Sequence, residues 1–119
     1  MTFRFVPVLA ACLLLAASPA AAHAIIVAAK PDVGATVAGP SVAIDLRFNS
    51  RIDHLRSRLW VSAGGDKTVP IAIEKSGPAD HLTGEAEPLS PGDYVLHWQV
   101  LAVDGHITRG DIPFRVAAH

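Results

Sequence analysis

The sequence predicts a small all-β domain, an antiparallel sandwich or barrel, and three observations lead there. Apolar and polar residues alternate with a period of two in several short runs, the pattern of strands with one buried face. Clusters of Gly, Pro, Asp and Ser separate those runs at intervals that suit turns. No window carries the apolar stripe of an amphipathic helix. Short strands at this spacing are expected to pair antiparallel in two layers or a closed barrel.

The 119 residues allow one domain, and the apolar character is concentrated at one end. Phe5 to Ala22 is almost free of polar groups and follows the single positive charge of Arg4. Pro19 interrupts the run, and Ala20-Ala21-Ala22 supplies the small-x-small pattern accepted by signal peptidases. Residues 1–22 are therefore expected to be a secretory signal peptide cut after Ala22, leaving a domain over 23–119 that begins at His23. Leu9-Ala10-Ala11-Cys12 resembles a competing lipoprotein cleavage box. Too few apolar residues precede Cys12, and the most apolar stretch, Leu13 to Ala17, comes after it.

The elements follow in order. His23 to Ala28 is expected to open the domain as a strand that anchors the N-terminus. Val42, Ile44, Leu46 and Phe48 alternate with Ala43, Asp45 and Arg47 as one strand. Arg51 to Arg58 has room for a short turn, and Leu59 and Val61 resume the strand pattern. Val69, Ile71 and Ile73 form the next run, then Tyr94, Leu96, Trp98 and Val100, then Ile112, Phe114 and Val116. Between them lie Pro31-Asp32-Val33-Gly34, Gly39-Pro40, Gly64-Gly65-Asp66, Gly77-Pro78 and Ser90-Pro91-Gly92-Asp93.

Composition removes several functions. The single cysteine and single methionine, Cys12 and Met1, both fall within the expected signal peptide. The remaining domain would hold itself together without disulfides, by its apolar core alone. The net charge is −1 and no run of like charge occurs, so no basic patch exists to neutralise phosphates. Nucleic acid is not an expected partner, and a monomer is expected.

Chemistry concentrates at two places. An N-terminal His23 would offer its α-amine and its ring Nδ1 to one metal ion as a chelate. The second place is Asp104-Gly105-His106. On an extended segment, residues two apart point the same way, which sets a carboxylate beside an imidazole. Together these are two imidazoles, an amine and a carboxylate, a nitrogen and oxygen set that suits Cu(II), with zinc as competitor. The bland alternatives are a chance histidine after the cleavage point and a plain turn stabilised by Asp104. His97 is expected to face solvent, opposite Trp98 on its strand. His54 and His81 lie in turn-like contexts, and His119 ends the chain. Trp98 and Tyr94 read as core, whereas Trp60 lies on the face opposite Leu59 and Val61.

Several stretches carry a family resemblance. They are Ala22-His23-Ala24, Lys30-Pro31-Asp32-Val33-Gly34-Ala35, Leu46-Arg47-Phe48-Asn49 and Leu89-Ser90-Pro91-Gly92-Asp93-Tyr94. Trp98 through Asp104-Gly105-His106 and Gly110-Asp111-Ile112-Pro113-Phe114-Arg115-Val116 complete the set. On these the chain resembles the CopC family of periplasmic copper-binding proteins. The resemblance implies a small Greek-key β-sandwich or barrel, immunoglobulin-like and close to the cupredoxin type. It implies a Cu(II) site, one ion per chain, using His23, Asp104 and His106. It also implies a periplasmic role in copper tolerance, storage or delivery, and an inner-membrane copper-transport partner.

Two departures from the family pattern matter. Some members carry a methionine-rich Cu(I) segment, whereas this chain has no methionine beyond Met1. Some carry an acidic residue near the copper site where this chain has Ser50 followed by Arg51. No catalysis is expected. The rival readings are a copper-dependent oxidative enzyme built on a histidine brace and a metal-free adhesion or assembly module.

Overall fold

The computed structural model describes residues 24–64 and 67–118. The expected signal peptide, its cleavage point, Cys12, His23 and His119 lie outside those residues. Eight strands form in chain order: β1 (Ile26–Lys30), β2 (Thr36–Val37), β3 (Val42–Phe48), β4 (Arg58–Ser62), β5 (Thr68–Ile71), β6 (His81–Ala86), β7 (Gly92–Leu101) and β8 (Ile107–Val116). They make a three-stranded sheet ordered β1-β3-β6 and a five-stranded sheet ordered β2-β8-β7-β4-β5. The chain crosses repeatedly from one sheet to the other, which gives a Greek-key sandwich rather than a closed barrel.

The alternation read from the sequence decides which side of each strand is buried. Val42, Ile44, Leu46 and Phe48 of β3 face the core, as do Leu59 and Val61 of β4. Leu96, Trp98 and Val100 of β7 meet Ile112, Phe114 and Val116 of β8 in the same layer. Phe48 reaches across from the smaller sheet and packs its ring edge against Trp98, with centroids 5.4 Å apart at 67°, a favoured aromatic geometry.

The structure adds to the expected elements and trims them. β6 was not legible as a strand, because its centre reads Thr83-Gly84-Glu85 and shows little alternation; it pairs with β3 from Val42↔Ala86 to Arg47↔His81. The run through Ile73 stops as a strand at Ile71, and Ile73 makes only an isolated bridge to Gly84. β1 begins at Ile26, with Ala24 already buried before it. One pairing departs from the antiparallel expectation. The two-residue β2 runs parallel to β8, with Thr36 opposite Arg115 and Val37 opposite Val116. The amides of Arg115 and Ala117 donate to the carbonyls of Ala35 and Val37, covering an edge of β8 that would otherwise stay open.

Gly110 stands directly opposite Trp98 in the β7–β8 pair. A Cβ at that position would lie 2.6 Å from Trp98 Cζ2, closer than side-chain atoms approach. Gly110→Ala is therefore expected to destabilise the fold by roughly 1–3 kcal/mol through overpacking. Urea denaturation followed by Trp98 fluorescence measures it, and a wild-type midpoint would show that the indole simply moves aside.

Candidate metal centre

The hairpin of β7 and β8 ends in the five residues Ala102 to His106. Ala102 is buried and its N–H donates to the His106 carbonyl at 2.9 Å, closing the loop on itself. The Gly105 N–H donates to the Ala102 carbonyl at 2.9 Å, which makes residues 102–105 a tight turn. Gly105 has φ of +92°, a backbone region that side chains with a Cβ rarely occupy.

This turn brings Asp104 and His106 together. Asp104 Oδ1 accepts the His106 backbone N–H at 3.1 Å, and Asp104 Oδ2 lies 3.2 Å from His106 Nδ1. The sequence reading derived their proximity from an extended segment. The structure reaches it through a turn capped by Asp104, so the turn reading and the paired-donor reading both describe the same loop. Both side chains are open to solvent, Asp104 at 33% and His106 at 58% relative exposure. The His106 amide, foremost, holds the Asp104 carboxyl below its ordinary value of 3.8; desolvation opposes it and the His106 ring adds to the lowering.

A second connection runs from this turn to the start of the described chain. The Val103 N–H meets the Arg51 carbonyl at 3.4 Å, and Ile52 bridges Ala102. The Asp53 N–H donates to the Leu101 carbonyl at 2.9 Å. Buried Ser57 ties the same region down: its hydroxyl donates to the Asp53 carbonyl at 2.7 Å and accepts the Leu101 N–H at 3.2 Å. Two residues upstream of Arg51, Asn49 is bonded to Ile25 by two hydrogen bonds. Ser50, which stands where the family resemblance implies an acidic residue in some members, has a buried Oγ with no hydrogen-bond partner among the described residues. Sequence reasoning marked Asn49 only as part of a resemblance and gave the linking segment no role.

The other histidines are engaged in pairs. His81 Nδ1 is 2.7 Å from Asp45 Oδ1, and His54 Nε2 is 2.7 Å from the His81 carbonyl oxygen. His97 does lie on the outer face of β7, but it is largely covered, not simply solvated. Its ring stacks on Trp60 at 5.4 Å, Nδ1 meets Asp111 Oδ1 at 2.7 Å and Nε2 meets Ser62 Oγ at 2.8 Å. That contact also accounts for Trp60, which has no place in the core. Among the described residues, no group of three or more His, Cys, Asp and Glu side chains could hold a metal ion. Asp104 and His106 alone do not amount to such a group, although a carboxylate and an imidazole are donor types that Cu(II) and zinc both accept.

A family model for the CopC domain matches residues 26–117. Among curated proteins, the chain is 32% identical over 110 residues to Copper resistance protein C of Xanthomonas campestris pv. juglandis, covering 86% of each chain. It is 30% identical over 98 residues to protein YobA of Escherichia coli K12, covering 80% of this chain and 79% of that one. Among solved structures, CopC from Methylosinus trichosporium OB3b matches with a TM-score of 0.74 and 29% identity, over 82% of this chain and 96% of that one. PcoC from Escherichia coli, described as a methionine-rich copper resistance protein, matches with a TM-score of 0.64 and 25% identity, over 80% and 99% of the two chains.

The Asp104 carboxylate accepts more strongly from His106 when ionised than when protonated. Its pKa lies below that of the unfolded chain, so this stabilisation is fully present above 3.8 and is lost as pH falls through the lower folded value. In a carbon-detected NMR titration of metal-free protein, Asp104 should titrate with a midpoint below 3.8, and the His106 amide shift should follow the same curve. A midpoint at or above 3.8 would show that the turn does not close on the carboxylate.

Proposed function

The chain belongs to the CopC family of copper resistance proteins, and on that premise we propose that it binds one Cu(II) ion through His23, Asp104 and His106. The observation that carries the proposal is the paired, solvent-facing carboxylate and imidazole of Asp104 and His106, 3.2 Å apart on a closed turn. In this reading residues 1–22 direct export and are removed, and the domain over 23–119 works in the periplasm in copper tolerance, storage or delivery. An inner-membrane copper-transport protein is the partner this role calls for.

The chemistry of the donor set supports Cu(II). A free α-amine has a pKa of about 8 and loses its proton readily to a metal. With the His23 ring it forms a chelate, to which His106 adds a second imidazole and Asp104 an anionic oxygen. Cu(II) favours such nitrogen and oxygen donors in a tetragonal plane, whereas Cu(I) favours sulfur. Residues 23–119 contain neither cysteine nor methionine. With a carboxylate among the donors, fewer positions would remain open for oxygen chemistry, which favours a carrier over a catalyst.

The amine makes processing a condition of binding. Before cleavage, the His23 nitrogen belongs to a peptide bond and is a poor donor at neutral pH. Protein beginning at His23 is expected to bind Cu(II) with an affinity orders of magnitude above that of the same domain carrying one extra Ala before His23. Competition with a chromophoric Cu(II) chelator measures both, and equal affinities would remove the amine from the site.

Asp104→Asn is expected to weaken Cu(II) binding and His106→Ala to weaken it further, each with little change in metal-free stability, since both positions are exposed. Reduction should release the metal to a Cu(I) chelator. Copper retained under reducing conditions, or wild-type titrations from both variants, would contradict this donor set.

A further inference from the structure

We propose that Asn49 is a positioning residue for the copper site, holding the N-terminal strand at a set distance from the Asp104–His106 turn. The proposal rests on the Cu(II) reading above and deepens it. It starts from a problem of strand ends. Regular pairing of β1 with β3 begins at Ile26↔Phe48 and is already irregular between Ile26 and Ala28. The Phe48 N–H is engaged with the Asp80 carbonyl at 2.8 Å. A chain end leaving such a ladder ordinarily frays, and a frayed end is a poor place for a metal ligand.

Asn49 supplies the missing rungs. The Ile25 N–H donates to Asn49 Oδ1 at 2.8 Å, and the Asn49 N–H donates to the Ile25 carbonyl at 2.9 Å. One residue earlier, Ala24 is fully buried and belongs to the apolar core. The backbone is therefore held at Ile25 and seated at Ala24, the residue joined directly to His23. Two positions after Asn49, the Arg51 carbonyl receives the Val103 N–H, and Ile52 bridges Ala102 at the base of the turn. Residues 49–52 thus form a short strap, with one end on the N-terminal strand and the other on the loop that carries Asp104 and His106.

A site assembled from two distant stretches of chain binds tightly when both are ordered beforehand, because ordering them on binding costs conformational entropy. Only the Asn49 side chain in this strap contributes directly to holding Ile25. Replacing it with Ala leaves the Ile25 N–H without that acceptor, while Phe48 and the core below it stay in place.

The test compares Asn49→Ala and Asn49→Asp with the parent protein beginning at His23, and with the parent extended by one Ala. Asn49→Ala is expected to lose about ten- to a hundredfold in Cu(II) affinity, the usual effect of removing a residue that orients a ligand. Its Cu(II) EPR spectrum should become a mixture of species, and the Ile25 amide should exchange faster in metal-free protein. Asn49→Asp keeps an oxygen acceptor at the same reach and should return the single parent spectrum. A merely structural role would lower the metal-free melting temperature without changing the spectrum. If extension abolishes tight binding but Asn49→Ala matches the parent in affinity and spectrum, the copper site stands and the positioning role is overturned. If extension changes nothing, the His23 reading falls, and this proposal with it.

Discussion

The β7–β8 ladder is the constraint on which the rest of the molecule depends. Ten residue pairs run without interruption from Gly92↔Val116 to Leu101↔Ile107. The ladder provides the buried face on which the smaller sheet packs, and it ends in the loop that holds Asp104 beside His106. Its tightest point is Trp98 over Gly110, where a large ring occupies space that any side chain opposite would take. With the ladder in register, the loop has only five residues in which to turn, and the backbone bonds between Ala102, Gly105 and His106 leave it little freedom. The rigidity of the candidate donors is inherited from the sheet.

That inheritance explains how an exposed pair of side chains is held in a defined geometry. Asp104 and His106 gain little from burial, and contacts between solvent-facing groups are individually weak. Their geometry comes from the backbone, and the Asp104 contact to the His106 amide adds to it. The segment from Asn49 to Ser57 extends the same logic sideways, joining the hairpin end to the first described strand through backbone bonds, the Asn49 side chain and one buried hydroxyl.

The outer face of the larger sheet shows how the remaining polar residues are accommodated. Trp60, His97, Asp111 and Ser62 come from three adjacent strands and satisfy one another by stacking and hydrogen bonding. Arg58 covers Trp60, with its guanidinium carbon 5.5 Å from the ring centroid. His81 and Asp45 make a comparable cross-strand pair on the smaller sheet. Both of these histidines are largely covered, so among the described residues the hairpin turn is where an imidazole paired with a carboxylate is mostly exposed.

Most strand positions, most core residues and the nearness of Asp104 to His106 were legible in the sequence by itself, because alternation and short-range spacing are local properties. A period of two names the buried face of β3, β7 and β8 whatever those strands pack against. Chemistry that sits within three consecutive residues, as at Asp104 and His106, can be read the same way. β6 escaped because Gly84 and its polar neighbours mask the alternation, and β2 because two residues carry no period. The parallel pairing of β2, the stacking of Trp60 on His97 and the strap from Asn49 to the Asp104–His106 loop were decided only by the tertiary structure. Each joins residues far apart in the chain, and their partners depend on how the two sheets lie over a shared core, a relation no local pattern encodes.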